Sequence, residues 1–445
     1  MKPTLRNALY GALILCCAAF AAFIFLNGKG KSTLPELKER QGALAEAPEW
    51  ATTQANYNKL TAELKTKPTE AKALLQLAKV FMQEARVTGD YTYYNQAALD
   101  MINSVLAKDA QNFDATCLKA MVLLSQHRFA DGKALAMQGM QMNPYNSFIY
   151  GLLIDANVEL GDYPEAIKMA DKMVSIRPDI RSYSRVSYLR EIHGDVPGSL
   201  EAIKMAVSAG FPGNEDIEWA RMVQAHLLED SGKIDEAEQV YKLALTERPN
   251  YPFALAGLGK IARYRKDYPG AIAYYEQAKA VMSDASFFEE LIDLYRLNNQ
   301  PDQSATCAKA TIDAVSADNT EGAKKQEGGH FAERQLAFLY LKTNQLDKAL
   351  EFAQIDQQRR PKNIDACEML AWVLYKKGDV AQAATFLPTM RGTNSQNPEL
   401  LVKSGLIMVA NGQKEQGAAL IQKGMSLKPY MEESLAAEAK MHLKA

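Results

Sequence analysis

The side chains that most often carry out catalysis are scattered along this chain. Its five histidines are far apart in sequence: His127, His193, His226, His330 and His442. The sequence contains no His-Glu-x-x-His metal motif, no Cys-x-x-Cys pair, no Gly-rich phosphate loop and no nucleophile elbow. We therefore predict no catalytic residue, no cofactor site and no metal site, and a protein that is not an enzyme.

The five cysteines do not form a disulfide framework. Cys16 and Cys17 lie in an N-terminal apolar run, whereas Cys117, Cys307 and Cys367 stand alone in distant parts of the chain. Because a free cysteine behaves as a small hydrophobic side chain, we expect these last three to be buried.

Composition indicates an ordinary folded chain rather than a nucleic-acid-binding one. Of its 445 residues, 47% are apolar and 23% are charged, and the formal net charge is −2. Binding to nucleic acid usually needs a basic stripe, so we expect no nucleic-acid partner.

The elements that would position any site are helices arranged in a repeated pair. In the clearest copy, residues 252–284, Gly259 and Ala262 belong to one helical stripe, and Ala271 and Tyr275 belong to a second. Gly259 and Ala271 are small because two antiparallel helices are expected to cross there. A unit of this size cannot bury both of its faces, so it must stack on neighbouring copies.

Copies of this unit recur along most of the chain. The small residue that opens each second helix is, in order, Ala98, Gly132, Ala166, Ser199, Ala237, Ala271, Ala305, Ala349, Ala383 and Gly417. The steps between them are 34, 34, 33, 38, 34, 34, 44, 34 and 34 residues. This pattern resembles the tetratricopeptide repeat over roughly residues 70 to 431. The resemblance implies an all-α fold, a right-handed superhelical solenoid of about ten helix-turn-helix repeats.

Residues 1–27 have the pattern of a targeting segment. Nineteen uncharged residues run from Ala8 to Leu26, and a helix of that length spans roughly 28 Å, enough for the hydrocarbon core of a bilayer. We predict one uncleaved N-terminal transmembrane helix ahead of the solenoid. A cleaved signal peptide and a lipoprotein modified at Cys16 are the alternatives.

The basic residues around this apolar run give opposite indications of its orientation. We predict a single-pass membrane anchor with the solenoid on the extracytoplasmic, periplasmic side. The opposite topology is the alternative.

Composition divides the rest of the chain into four segments. Residues 28–49 are predicted to be a polar tether, and residues 50–315 an N-terminal arm of repeats that begins with a capping helix. Residues 316–329 are rich in Gly, Lys and Glu, which indicates a flexible loop. Residues 330–445 are predicted to be a C-terminal arm that ends in a second capping helix.

In tetratricopeptide solenoids the first helix of each pair lines the concave surface. Carried over copy by copy, the resemblance implies a groove that binds a protein or peptide partner. The candidate groove residues are Tyr188, Trp219, His226, Phe331, Phe338, Trp372 and Tyr375. For each ring, packing between successive first helices is the alternative.

The arrangement as a whole resembles uncharacterised bacterial membrane-associated tetratricopeptide proteins. We expect a membrane-anchored scaffold that binds a partner in its groove, as an assembly or trafficking factor at the bacterial cell envelope. One alternative is a cytoplasm-facing regulatory adaptor that recruits an enzyme to the membrane. Another is an enzyme with an unfamiliar site in the groove.

Overall fold

The computed structural model of the chain describes residues 34–47, 49–324 and 330–444, without the side chains of 320–324 and 444. The chain divides into two units, Met1–Lys38 and Glu39–Ala445. In the first unit, residues 34–38 form neither helix nor strand. Every helix described below belongs to the second unit.

The described part of the second unit is all-α, with one short 3-10 turn at Gly42–Leu44. Its first eleven helices are α1 Trp50–Thr66, α2 Ala71–Thr88, α3 Tyr91–Leu106, α4 Phe113–Ser125, α5 Phe129–Met142, α6 Ser147–Glu159, α7 Tyr163–Ile176, α8 Ile180–Ile192, α9 Val196–Ser208, α10 Glu215–Asp230 and α11 Ile234–Glu247. The others are α12 Pro252–Tyr264, α13 Tyr268–Val281, α14 Ala285–Leu297, α15 Pro301–Lys324, α16 Glu333–Lys342, α17 Leu346–Arg359, α18 Ile364–Lys376, α19 Val380–Ala384, α20 Leu387–Met390, α21 Pro398–Ala410, α22 Lys414–Leu427 and α23 Glu433–Lys444.

Helices α2 to α22 follow one another as ten helix-turn-helix pairs. In the ninth pair, the two short helices α19 and α20 together take the place of the second helix. Helix α1 precedes the pairs and α23 follows them. The prediction of an all-α solenoid of about ten repeats is confirmed.

The turn inside each pair has the same backbone conformation. One residue in every such turn has a positive φ, and these residues are Gly89, His127, Gly161, Gly194, Gly232, Lys266, Asn299, Asn344, Gly378 and Gly412. In nine of the ten turns the next N–H donates to the carbonyl five residues earlier; the N–H of Asp162, for example, donates to the carbonyl of Asn157 at 2.7 Å. This Schellman cap ends the first helix and reverses the chain.

Small residues lie where the two helices of a pair cross. Ala271 is completely buried, and a Cβ added to Gly259 would lie 2.8 Å from the ring of Tyr275. Two of the predicted crossing residues do not lie at the fourth position of the second helix, where the others lie: Ala98 is the eighth residue of α3, and Ala305 is the fifth residue of α15. Ala305 is exposed, and Ser304 takes its place, with its hydroxyl donating to the carbonyl of Ile292 at 2.7 Å.

Successive turns of the superhelix touch each other. The short loop inside one helix pair contacts the loop that precedes the pair six places further along the chain. His127 Nδ1 lies 2.9 Å from the carbonyl oxygen of Phe331, 204 residues later. A Cβ added to Gly161 would lie 2.3 Å from the carbonyl of Lys362. The same approach joins Gly89 to Ser283, Gly194 to Asn394 and Gly232 to Leu427. One superhelical turn therefore takes six pairs, and its edges close on each other.

The predicted transmembrane helix is wrong for the part of the chain that the structure describes. None of the described helices is long and apolar enough to cross a membrane. The apolar segment that motivated the prediction, residues 1–27, lies outside the described residues. The predicted membrane-anchored, extracytoplasmic localisation is corrected on the same finding about the described helices.

Two of the predicted segments differ in detail from the structure. Arg40 lies in the predicted polar tether, yet its side chain is fully buried and its Nη2 is 2.6 Å from Glu84 Oε1. Helix α15 continues to Lys324, through the first nine residues of the predicted loop 316–329; residues 325–329 are outside the described chain. The domain boundaries themselves stay predictions.

Candidate functional site

The second unit encloses a space of about 2740 Å³ on its inner side, which we call the channel. The first helices of the pairs supply most of its wall, from α2 through α21. Each first helix brings residues at the same inward position, because the pairs repeat at a constant spacing. Since successive turns touch along their edges, the wall is continuous from one turn to the next.

Five of the seven candidate groove residues line the channel: Tyr188, Trp219, His226, Phe331 and Phe338. The most exposed rings among them are Tyr188, which is 40% exposed, and Trp219, which is 43% exposed. A solvent-exposed tyrosine and tryptophan on a concave wall offer large apolar faces that nothing in the described chain covers.

Cationic side chains of the chain itself cover part of the rings of Phe331 and Phe338. The guanidinium carbon of Arg359 lies 3.8 Å from the centre of the Phe331 ring. The ammonium of Lys342 lies 5.0 Å from the centre of the Phe338 ring. Both rings therefore already make cation–π contacts, which leaves them less of their surface for a partner.

Trp372 and Tyr375 do not line the channel, and we remove them from the candidate surface. Trp372 is 8% exposed and packs in a cluster with Leu435 and Ala439 of the last helix, α23. The hydroxyl of Tyr375 donates to Glu438 of the same helix at 2.9 Å. The terminal capping helix, rather than a partner, covers these two rings.

Tyr188 and Trp219 lie on consecutive first helices, α8 and α10, which come together where donor atoms of Glu191 and His226 lie within 4.8 Å of each other. Tyr188 and Glu191 lie one turn apart on α8, and Trp219 and His226 lie two turns apart on α10. Trp219 is held edge-on to Phe253, with 5.2 Å between ring centres. We call Tyr188, Glu191, Trp219 and His226 the α8–α10 patch.

The environment of the patch is acidic. The enclosed position of Tyr188 inside the channel, away from bulk water, raises its pKa well above the ordinary value, and the carboxylates of Asp365 and Glu159 raise it further although Arg334 opposes them. Burial also raises the pKa of Glu191, although the neighbouring His226 opposes the shift. The carboxylates that contribute to these shifts disfavour further negative charge on this part of the wall.

Most cations of the channel wall are already held by carboxylates. Lys260 Nζ lies 2.6 Å from Glu229 Oε2, and Arg185 Nη2 lies 2.6 Å from Asp155 Oδ2. Burial lowers the pKa of Lys260, but Glu229, Tyr264, Tyr241 and Asp230 together outweigh burial and raise that pKa well above its ordinary value. These lysines and arginines fix the shape of the wall more than they offer free positive charge.

One cluster in the wall has the residue types of a metal site. Donor atoms of Glu191, His226 and Asp230 all lie within 4.8 Å of one another. Asp230, however, already has the ammonium of Lys428 at 2.8 Å, and Asn397 Nδ2 donates to it at 3.2 Å. The charge of Asp230 is therefore balanced by a lysine, and only Glu191 is left without an ion pair in this group.

The residues that give the channel its charge were missed by sequence reasoning. From the sequence, Glu191 and Glu289 are expected to be ordinary solvated carboxylates on a helical face. Glu191 could have been found from its position three residues after Tyr188, which places both on one face of α8. Asp365 faces the Tyr188 region only because the superhelix closes on itself, and no local pattern encodes that.

Comparison with known families supports the repeat. The family model described as Tetratricopeptide repeat matches residues 222–285. No curated protein matches the chain.

Several solved structures are similar to parts of this chain. A monomeric mutant of IFIT1 with Gppp-AAAA is 13% identical, covers 76% of each chain and has a TM-score of 0.48. The Cut9–Hcn1 hetero-tetramer of the APC/C is 11% identical, covers 90% of this chain and 96% of the other, and has a TM-score of 0.37. A thermophilic TPR protein in Thermus thermophilus is 19% identical, covers 46% of this chain and 99% of the other, and also has a TM-score of 0.37.

Proposed function

Given that this chain is a tetratricopeptide-repeat protein, we propose that it is a binding scaffold whose channel holds a segment of a partner protein. Repeats of this kind indicate a scaffold for protein–protein interaction, and the fold alone does not name the partner. The proposal assigns no catalytic step to the chain.

The size of the channel supports a polypeptide ligand. Pockets for small molecules are usually about 300–1,000 Å³, whereas the channel measures about 2740 Å³. A small ligand would leave most of that space filled with water. A peptide segment, by contrast, could contact several first helices at once, because each helix contributes its inward residues at a regular spacing.

The exposed rings of the α8–α10 patch are the single observation that carries the proposal. Trp219 and Tyr188 are 43% and 40% exposed on the inner wall. Tryptophan and tyrosine are over-represented among the residues that dominate binding energy at protein interfaces. Here they lie on the helices α8 and α10 rather than on loops, so a partner would not have to order the backbone that carries them.

The experiment is the selection of random dodecapeptides, displayed on phage, against the full chain. The affinity of the selected peptides is then measured by fluorescence anisotropy on the single variants Trp219→Ala and Tyr188→Ala. The matched controls are Met205→Ala on α9 and Leu243→Ala on α11, whose side chains are 43% and 45% exposed and do not line the channel.

The proposal predicts that each patch variant weakens peptide binding about 30-fold, as expected for a hot spot of about 2 kcal/mol. The controls should retain the wild-type affinity. Selected peptides that bind equally well to all four variants would show that the binding surface lies outside the channel.

A further inference from the structure

The channel wall is more acidic than the chain as a whole. Its lining residues include sixteen Asp and Glu side chains and ten Lys and Arg side chains. The entire sequence is almost balanced, with 53 acidic and 51 basic residues. The negative charge is therefore concentrated on the inner surface, and the rest of the molecule carries a compensating excess of basic residues.

The cations of the wall are ion-paired more often than its carboxylates are. Eight of the ten cations in the wall have an ion pair within 4 Å, the exceptions being Lys79 and Arg181. Among the described residues, seven of the wall carboxylates have no such partner: Glu46, Asp114, Glu191, Asp216, Glu247, Asp284 and Glu289. The unpaired charge that the channel presents to a ligand is thus mainly negative.

Glu191 is the unpaired carboxylate that lies beside the exposed rings. It is partly buried, and it lies one helical turn from Tyr188 on α8. A donor atom of His226 lies within 4.8 Å of it, but His226 is 3.5 Å from Asp230, and Lys428 is engaged with Asp230 at 2.8 Å and Glu399 at 3.1 Å. A partly desolvated carboxylate without a cation is costly, and a cationic ligand would relieve that cost.

Glu289 on α14 is another carboxylate of the wall that lacks an ion pair. The nearby Lys342 does not pair with its carboxylate; instead the ammonium donates to the backbone carbonyl of Glu289 at 2.9 Å and to the carboxylate of Asp293. Burial raises the pKa of Glu289 to about 7, and the neighbouring Glu290 and Asp284 add to the shift although Lys342 opposes it. Glu289 is thus a second wall carboxylate that has no ion pair.

The exposed rings favour the same kind of ligand. An ammonium or guanidinium over the face of tryptophan or tyrosine gains a cation–π attraction, and the gain is larger where water is partly excluded. The channel already uses this contact, with Arg359 over Phe331 at 3.8 Å. An acidic segment would instead meet unpaired carboxylates at close range, which is unfavourable.

From the unpaired carboxylates and the exposed rings, we infer that the segment held in the channel is a cationic peptide, with lysine or arginine side chains against Tyr188 and Trp219 and one of them paired with Glu191. This inference rests on the proposed function, because it names the chemistry of the partner in the same channel.

The test uses the peptides selected on the full chain. We expect those that lose affinity on Trp219→Ala to be enriched in Lys and Arg relative to the starting library. Their affinity should fall about fivefold to tenfold on Glu191→Gln, which removes the charge and keeps the shape. It should not change on the matched control Glu201→Gln, whose side chain is 74% exposed on α9 and does not line the channel. Raising the salt concentration should weaken binding to the wild type more than to Glu191→Gln.

Failure of this inference is distinguishable from failure of the proposed function. Peptides that depend on Trp219 but carry no excess of Lys and Arg, or that bind Glu191→Gln as well as the wild type, would overturn the cationic partner and leave the channel as the binding site. An effect of Glu201→Gln as large as that of Glu191→Gln would overturn it too, since binding would then follow overall charge. Peptides that ignore Trp219 and Tyr188 altogether would overturn both proposals.

Discussion

Gly161 lies against the backbone of Lys362, 201 positions later in the chain, so closely that a Cβ on Gly161 would be 2.3 Å from the carbonyl oxygen of Lys362. Gly161 is the positive-φ residue of the turn inside the third pair, and Lys362 lies in the loop before the ninth pair. The contact joins successive turns of the superhelix, and it makes Gly161 a residue that holds the channel closed.

Gly161→Ala should open this contact. The residue has φ of +76° and Gly378 has φ of +86°, so alanine pays a similar conformational cost at either position, about 1 kcal/mol. Only Gly161 also meets a neighbouring backbone, because nothing lies within 4 Å of a Cβ on Gly378. We expect Gly161→Ala to increase the radius of gyration measured by small-angle X-ray scattering and to lower the melting temperature more than Gly378→Ala does. Equal effects of the two substitutions would show that the contact does not hold the turns together.

Acidification should weaken the contact between successive superhelical turns at another point. The rings of His127 and His330 lie 4.3 Å apart. Burial and the adjacent His127 together lower the pKa of His330 to about 4, although Asp318 and a hydrogen bond to the Ser125 backbone oppose the shift. Burial lowers the pKa of His127 as well, although its bond to the carbonyl of Phe331 opposes the shift.

Because the unfolded chain binds these protons more readily, the stabilisation is complete above about pH 6.5 and is lost as the pH falls toward 4. We expect about 3 kcal/mol to be lost over that range, because a shift of one pKa unit corresponds to about 1.4 kcal/mol. Denaturant unfolding measured between pH 7 and pH 4 would show a steeper loss for the wild type than for His330→Gln. His442→Gln, near the C-terminus, serves as the control. A wild-type slope that His330→Gln leaves unchanged would contradict the assignment.

Arg40 should be essential to the N-terminal part of the solenoid. Its guanidinium bonds both oxygens of Glu84, at 2.9 and 2.6 Å, and both side chains are fully buried. Removing one partner leaves the other charge buried and unpaired, so Arg40→Met should cost about 3–5 kcal/mol. The control Arg86→Met breaks an ion pair with Glu215 in which Arg86 is 43% exposed, and should cost less than about 1 kcal/mol. Similar unfolding free energies for the two variants would contradict this account of the buried pair.

The helix crossings give a matched test of packing. Ala271 is completely buried at a crossing, whereas Ala305, one position past the equivalent residue Ser304, is exposed. Ala271→Leu should overpack the crossing and cost about 1–3 kcal/mol. Ala305→Leu should be close to neutral, because its side chain points into solvent. A neutral Ala271→Leu in thermal unfolding would refute the register of the sixth pair.

The helix pairs could be predicted from sequence because their determinants are local. Helix length, the positive-φ turn residue and the small crossing residue all fall within about 34 residues. The error at Ala305 arose because the spacing between the crossing residues is one residue shorter there than the 34-residue period. An alignment based on that period therefore selects Ala305 instead of Ser304. The full length of helix α15 was missed for a different reason. The composition of residues 316–324 indicates a loop, but these residues form a helix in the structure.

The candidate site could be predicted only in part. Inward positions on first helices located Tyr188 and Trp219 in the channel. Trp372 and Tyr375 occupy similar positions, but α23 folds over them, and a sequence pattern does not reveal which first helix the terminal helix will cover. Arg40 and the contact between Gly161 and Lys362 depend on partners 44 and 201 residues away. Such pairings follow from how far the superhelix advances per pair, which the repeat pattern does not specify.

The most direct test of the central claim is photo-crosslinking of a selected peptide to the full chain. A benzophenone amino acid replaces Tyr188 on the channel wall or, as the control, Met205, which is similarly exposed on a second helix and does not line the channel. If the channel holds the partner segment, the peptide is captured from position 188 and not from position 205. Capture from position 205, with none from position 188 while the peptide remains bound, would contradict the claim.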